Sequence, residues 1–329
     1  PSLMIVVPRV LEKMFDSMEF KIFNERNRLK RWLGTWAFSL AKNPSQSILK
    51  NYLLRPIADF LVYSKIRKTL GGRWRVILCG GAALDPELCQ FYINIGIPVF
   101  EGWGLTEGST TCTNIPGKTK VGTVGRPLPG IKIEIAENDE VLLGGPTVMK
   151  GYYRNPAATE EAIDGEGWLH TGDKGVIDEE GFLKIVGRVK EQFKLSTGEY
   201  LSPDHIEHML CQHPLVDMSM VIGEKRKHAS CLLFPDMVSL KREKKKQKVE
   251  DLSNEDFLQS PYVRQEMEQL LEKINSKVNS WEKLFKYRFI LEVPTIERGE
   301  LTPTLKLKRR VILEKFKDVI DAIYTEEKA

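Results

Sequence analysis

A chain of 329 residues, 42% hydrophobic and 29% charged, holds enough apolar material for two cooperatively folding domains, and its moderate glycine and proline content excludes a disordered or fibrous protein. The net charge of +4 is too small to indicate a nucleic-acid partner, which needs a concentrated basic face. Five cysteines, odd in number, scattered and without a C-x-x-C pair, fit a reducing, cytoplasmic setting, and no apolar run reaches the roughly 18 residues of a spanning helix.

In chain order, the apolar run Leu3 to Val7 ends at Pro8 and lacks a preceding basic region, so it does not read as a signal peptide. The chain opens on Pro1 rather than Met, from which an internal start is expected. Residues 10–70 read as helical, with Leu11, Phe15, Met18 and Ile22, then Ile57, Phe60, Leu61 and Ile66, at helical spacing. Trp32, Trp36 and Phe38, flanked by Lys30, Arg31 and Lys42, suit a helix packed on a core, with a helix lying at a membrane surface as the alternative. Arg75 to Cys79 reads as a strand, Asp85-Pro86 as the capped start of a helix running to about Gly96, and Pro98 to Glu101 as the next strand. Strand, loop, helix, strand is the order of an α/β sheet.

Beyond Gly125 the period changes. Ile131, Ile133 and Ile135 alternate with Lys132 and Glu134, Asn138-Asp139 turns the chain into Val141 to Leu143, and Glu180-Gly181 turns it into Phe182 to Val186, so a small antiparallel barrel is expected. Ser202 is placed to cap a helix starting at Pro203; Met218 to Ile222 and Cys231 to Phe234 read as strands, and 308–324 as a terminal helix. Lys241 to Glu250 carries six basic and two acidic residues and reads as a solvated loop, with an anionic lipid surface or an acidic carrier protein as an alternative contact. His205, His208 and His213 with Cys211 do not make a zinc set, since H-x-x-H lacks the spacing of H-E-x-x-H.

Five segments carry residue types suited to chemistry. Gly80-Gly81-Ala82-Ala83 follows a strand, where small residues let backbone approach a flat ligand, although a tight turn would also use them. Glu101-Gly102-Trp103-Gly104-Leu105-Thr106-Glu107 sets an aromatic ring between glycines, a pattern that can present the ring for stacking, and adds hard oxygens that suit phosphate and Mg²⁺. Thr171-Gly172-Asp173 exposes a carboxylate on a turn, able to take two ribose hydroxyls, while the neighbouring His170 reads as structural. Gly187-Arg188-Val189-Lys190, followed by Ser196-Thr197-Gly198-Glu199, reads by itself as a charged linker. Leu301 to Arg310 offers Lys306 from a proline-containing loop, where a cation could neutralise a phosphate chain, though a solvated basic cluster is equally consistent.

In this order the five segments resemble the motif series of the ANL superfamily of adenylate-forming enzymes, and the stretches "SKIRKTLGGRWRVILCGGAAL", "PTVMKGYYRNPAAT", "KEQFKLSTGEYLSP" and "GELTPTLKLKRR" look like those of long-chain acyl-CoA synthetases. The resemblance implies the C-terminal part of an adenylation domain over 1–187, an α/β sheet with a small β-barrel, followed by a small mobile α+β domain over 188–329. It implies activation of a fatty acid with ATP through an acyl-adenylate and AMP, then transfer to coenzyme A, with Mg²⁺ as cofactor. On that resemblance Gly80, Gly81, Ala82, Ala83, Glu101, Gly102, Trp103, Gly104, Leu105 and Thr106 hold the nucleotide, and Thr106 and Glu107 serve phosphate and Mg²⁺. Asp173 and Arg188 hold ribose, Lys190 is the hinge, Lys306 is the adenylation lysine, and Ser196, Thr197, Gly198 and Glu199 line the coenzyme A path.

Trp103 stands where the resembled family more often has Tyr, so a phenol hydrogen bond is expected to be lost. The family's Ser/Thr/Gly-rich phosphate loop is expected upstream of Pro1, which would leave the chain alone incomplete as an enzyme. Two alternatives stay open: an acyl–acyl-carrier-protein synthetase, and a non-catalytic nucleotide-binding or docking fragment.

Overall fold

The structure is a computed structural model that describes residues 2–42, 48–189, 191–302 and 305–325, and the chain divides into two compact units, Pro1–Val186 and Gly187–Ala329.

In the first unit three short apolar strands, β1 (Leu3–Val6), β2 (Val76–Cys79) and β3 (Val99–Leu105), lie parallel, and β4 (Ser109–Thr113) and β5 (Arg126–Pro127) continue the sheet antiparallel. The Leu3–Val7 run is therefore a sheet strand, and Pro8, which has no amide to donate, ends it by opening helix α1 (Pro8–Phe23). Helices α2 (Arg28–Lys42), α3 (Ile48–Ala58) and α4 (Ser64–Thr69) complete the expected helical region, with one π turn at Asp59–Tyr63. Helix α5 (Pro86–Asn94) links β2 to β3, and the Asp85 carboxylate accepts the Glu87 amide at 2.7 Å as its cap.

Leu11, Phe38, Ile77, Phe91, Tyr92 and Val99 form one core. Its rings meet edge-on or tilted, Phe15 to Phe91 at 4.8 Å and Phe38 to Phe91 at 4.7 Å. Tyr92 and Tyr63 enter this core because their hydroxyls donate to the Leu11 and Ala37 carbonyls, each at 2.6 Å. Helix α2 packs through Ala37, Phe38 and Ala41 and leaves Trp32 exposed.

A second sheet, β6 (Lys132–Ile135), β7 (Glu140–Gly144), β8 (Leu169–Ile177) and β9 (Leu183–Arg188), has four strands in that order, with β6–β7 and β7–β8 antiparallel. Asp139 takes the left-handed conformation (φ 66°) that closes the β6–β7 hairpin. Trp103 and Cys112 of the first sheet share a buried cluster with Val141 and Leu183 of the second, so the two sheets are packed on one another. Helix α6 (Pro156–Ala162) follows β7.

The second unit begins with a two-stranded ribbon, β10 (Phe193–Lys194) and β11 (Tyr200–Leu201), and helix α7 (Pro203–Leu210). Ser202 holds the cap position of α7 but makes no side-chain cap bond; its hydroxyl accepts from Gln192 at 2.7 Å instead. Strands β12 (Val216–Ile222), β13 (Ala229–Pro235) and β14 (Leu284–Phe289) form a mixed sheet with β13 central and buried along its whole length. Its side chains alternate between two cores: Cys231 and Leu233 join Ile206, Val263 and Met267, while Leu232 and Phe234 join Ile312 and Ile320. The basic run is only partly a loop: Lys241 to Lys246 belong to helix α8 (Met237–Lys246), capped by Asp236 and anchored by the buried Leu240, and residues 247–250 follow the helix. Helices α9 (Asn254–Leu258) and α10 (Pro261–Asn275) follow. The terminal helix expected over 308–324 is two helices, α11 (Arg309–Lys315) and α12 (Lys317–Thr325), broken where buried Phe316 leaves helical geometry at φ −103°, ψ 24°.

Candidate functional site

The parallel strands bring the first two chemical segments side by side. Val6 pairs with Cys79 and Cys79 with Glu101, so β1 and β2 reach their carboxyl ends in register beside Glu101 of β3, which runs on to Leu105, at the edge where α/β sheets hold ligands. The loop Gly80 to Ala83 leaves β2 there, with Gly81, Ala82 and Ala83 exposed and Gly81 at φ 83°. Glu101 is buried at 7% exposure and accepts the Gly122 amide at 3.2 Å; burial pushes its carboxyl up to about 7. It is thus a buried structural carboxyl beside the loop.

Trp103 is not presented from a turn. It lies within β3 at 9% exposure, against Cys112, Val141 and Leu183, and the strand runs on through Leu105. The flanking glycines serve strand pairing: a Cβ on Gly104 would stand 2.1 Å from the Ser109 carbonyl oxygen. Trp103 Nε1 donates to Asp173 Oδ2 at 2.8 Å, across 70 residues of sequence. An indole N–H thus supplies a hydrogen bond to Asp173, and the same bond ties the second segment to the third.

Asp173 is not exposed on a turn: it is 7% exposed and lies inside strand β8, next to a register irregularity in the β7–β8 pairing that is itself braced. Gly172 takes φ 71°, and its amide donates to Glu140 Oε1 at 2.9 Å. Glu140 Oε2 lies 3.1 Å from His170 Nδ1, and the Thr171 hydroxyl donates to the Val141 carbonyl at 2.7 Å. His170 thus lies between Glu140 and Asp164, the latter 3.7 Å from its other nitrogen. Buried Glu140 was not singled out from sequence; its only local signal is an acidic side chain opening an otherwise apolar strand.

Thr106, exposed, and Glu107, half-buried, form the tip between β3 and β4. Glu107 Oε1 accepts the Tyr152 hydroxyl at 2.9 Å. Among the described residues no three His, Cys, Asp or Glu side chains converge on a metal position. A single carboxylate beside a hydroxyl is instead the hard-oxygen set that suits Mg²⁺ brought in on nucleotide phosphates.

The remaining predicted residues belong to the second unit. Arg188 faces Glu191 at 3.9 Å, and the Lys190 expectation lies outside the described residues. Ser196, Thr197, Gly198 and Glu199 form the exposed turn between β10 and β11, with Gly198 at φ 108° and the Ser196 amide donating to the Arg226 carbonyl at 2.8 Å. Lys306 is exposed on a loop that closes on itself: its amide donates to Thr302 Oγ1 at 3.0 Å and its carbonyl accepts the Thr302 amide at 2.8 Å. Glu300, 2% exposed at its side chain, anchors this loop by accepting from Lys315 at 2.6 Å and Arg298 at 2.9 Å. Burial would raise the Glu300 carboxyl, but the bonds from Lys315, the Thr295 amide and Arg298 outweigh it and hold it below the usual carboxylate range.

A mixed α/β sheet packed on an antiparallel sheet through the Trp103 cluster is the fold shared with solved adenylation domains. Solved structures of that class match along the chain: the adenylation domain of a carboxylate reductase from Mycobacterium chelonae has a TM-score of 0.71 at 21% identity, covering 99% of this chain and 47% of that one. The adenylation domain of the Segniliparus rugosus carboxylic acid reductase, solved with AMP and a co-purified carboxylic acid, has a TM-score of 0.68 at 22% identity, with the same coverage of each chain. The chain belongs to the AMP-binding enzyme family, whose profile matches residues 1–153, with the profile of the AMP-binding enzyme C-terminal domain over 190–328. It is 36% identical to the long-chain-fatty-acid–CoA ligase FadD15 of Mycobacterium tuberculosis, over 99% of this chain and 55% of that protein. To human long-chain-fatty-acid–CoA ligase 6 it is 34% identical, over 99% of this chain and 48% of that protein. The chain therefore spans about half the length of the curated relatives it matches.

Proposed function

We propose that this chain supplies the nucleotide-handling region and the mobile C-terminal region, divided at 187/188, of an AMP-forming ligase that joins long-chain fatty acids to coenzyme A. The observation that carries the proposal is the Trp103–Asp173 bond, since it ties a buried carboxylate of β8 to β3, the strand that carries the Glu101–Thr106 segment and pairs with β2, from which the Gly80–Ala83 loop leaves. The names of the relatives support the long-chain acyl substrate.

On this reading Gly80 to Ala83 and the 101–106 segment receive adenine through backbone, and Trp103 orients Asp173 rather than stacking on the base. Asp173 accepts from the ribose hydroxyls and Arg188 donates to them. Thr106 and Glu107 would hold Mg²⁺, which neutralises phosphate charge when bound. A fatty-acid carboxylate oxygen attacks the α-phosphorus of ATP, the bond to the bridging oxygen breaks, and pyrophosphate leaves with acyl-adenylate formed. Lys306 offsets the charge that builds on the transferring group. Lys190 then acts as the pivot, and the turn Ser196 to Glu199 lines the path of the coenzyme A thiol, which attacks the acyl carbon and expels AMP.

The exposed Lys241, Arg242, Lys245, Lys246 and Lys248 in and just after α8 support an additional acidic contact, either an anionic lipid surface or a carrier protein. Vesicle sedimentation against carrier-protein titration separates the two. The proposed activity is tested by mass detection of thioester from ATP, Mg²⁺, a long-chain fatty acid and coenzyme A with the full-length protein. Fatty-acid-dependent acyl-CoA with stoichiometric AMP is expected; ADP as the nucleotide product would overturn the reading.

A further inference from the structure

We propose that the segment Met149–Thr159 is a brace for Glu107 and that Tyr152 is the residue that positions the Glu107 carboxylate. The inference rests on the assignment of Glu107 to Mg²⁺ and phosphate. Glu107 is held from this segment twice, across sequence separations that local structure does not impose. The Met149 amide donates to the Glu107 carbonyl at 2.7 Å, and the Tyr152 hydroxyl donates to Glu107 Oε1 at 2.9 Å, 45 residues away. The phenol fixes one carboxylate oxygen and leaves Oε2 as the oxygen for a cation.

The segment is built to place this one ring. Gly151 takes φ +145°, and a Cβ there would stand 2.7 Å from Thr159 Cγ2, so the chain can pass only without a side chain. The Tyr152 amide donates to Thr159 Oγ1 at 2.9 Å, and the Thr159 hydroxyl donates to the Asn155 carbonyl at 3.0 Å. Asn155 in turn caps α6 by accepting the Ala158 amide at 3.2 Å. The neighbouring Tyr153 has no part in this. It is 86% exposed, with the Arg154 guanidinium 5.1 Å from its ring centre. Of two adjacent tyrosines the fold directs one to Glu107 and gives the other to solvent.

The test is equilibrium binding of Mn²⁺, as a paramagnetic probe for Mg²⁺, to the full-length protein with ATP present, read by electron paramagnetic resonance. Tyr152→Phe keeps the ring and removes the donor, and Mn²⁺ binding is expected to weaken about five- to tenfold, the worth of one hydrogen bond to a charged group at a partly exposed site. Thr159→Val, which loosens the brace without touching Glu107, is expected to weaken it about two- to threefold, and Tyr153→Phe to leave it unchanged. Glu107→Gln should weaken it more than any of these. Wild-type Mn²⁺ affinity in both Tyr152→Phe and Thr159→Val, with Glu107→Gln impaired, would overturn the brace and leave the Glu107 assignment standing. Wild-type affinity in Glu107→Gln would overturn that assignment and the brace with it. Should Tyr152→Phe lose its native circular dichroism, the Thr159→Val result decides alone.

Discussion

Replacing Trp103 by Phe tests whether Asp173 is positioned from β3. The ring change keeps an aromatic side chain against Cys112, Val141 and Leu183 but removes the indole N–H that donates to Asp173 Oδ2 at 2.8 Å. Both residues are buried, at 9% and 7% exposure, so water replaces the lost donor poorly. A hydrogen bond to a charged group in such a place is worth about 1.5–3 kcal/mol, and the smaller ring adds about 1 kcal/mol of lost packing. If half of the hydrogen-bond term reflects orientation of Asp173 toward a ribose, AMP affinity should fall about fivefold, since about 1.4 kcal/mol is tenfold. Calorimetric titration with AMP, run beside chemical denaturation, separates affinity from stability. Asp173→Asn and the double variant close a thermodynamic cycle whose coupling should lie on the order of 1 kcal/mol or more. Unchanged AMP affinity in Trp103→Phe together with zero coupling would refute the reasoning.

Three further outcomes are expected. Lys306→Ala should slow fatty-acid-dependent pyrophosphate exchange by about a hundredfold or more while sparing thioester formation from supplied acyl-adenylate, because one cation is removed from the phosphoryl step alone; exchange at the wild-type rate would cancel the assignment. Glu101, raised to about 7 from 4.5 by burial, binds its proton more tightly in the folded protein, so its charged form weakens the fold increasingly as pH rises through that window and by a constant amount above it, on the order of 3 kcal/mol. Glu101→Gln should therefore flatten the stability profile of the first unit between pH 5 and 7.5 relative to wild type, as read by urea denaturation at each pH. Glu300 has the opposite sign: its depressed carboxyl stabilises above the usual carboxylate range, and that contribution is lost as pH falls through the depressed value. Glu300→Ala should lower the melting temperature of the second unit by several degrees at pH 7 and by less near pH 3, as followed by differential scanning calorimetry.

Much of the fold was legible because it is written in short-range periods. The Asp85-Pro86 cap, the alternation of Ile131, Ile133 and Ile135, and the apolar strands of the second unit all declare themselves within a few residues. Features set by packing did not. The run Leu3 to Val7 becomes a strand only because Val76–Cys79 pairs with it from 73 positions later in the chain. The glycines beside Trp103 suggested a displayed ring, whereas they answer to the closeness of β4. The charged run of α8 hid a helix because a single buried residue, Leu240, anchors it. Nor does helical spacing mark the break at Phe316, where the buried residue leaves helical geometry. In the candidate site the chemical segments could be found by their residue types, but their supports could not. Glu140 meets Gly172 across 32 residues, Lys315 meets Glu300 across 15, and Tyr152 meets Glu107 across 45, and no local pattern announces such pairs.

The central claim is that the Gly80–Ala83 loop, the Glu101–Leu105 part of β3 and Asp173 of β8 form one nucleotide site. It is tested most directly by titrating AMP into the protein and into its Asp173→Ala variant, with hydrogen exchange followed by mass spectrometry over residues 80–83, 101–105 and 170–174. Saturable AMP binding that protects all three segments in the wild type, and that weakens at least about tenfold with loss of protection in all three in the variant, is the predicted result. AMP binding of equal strength in both proteins, or protection confined to segments elsewhere in the chain, would contradict it.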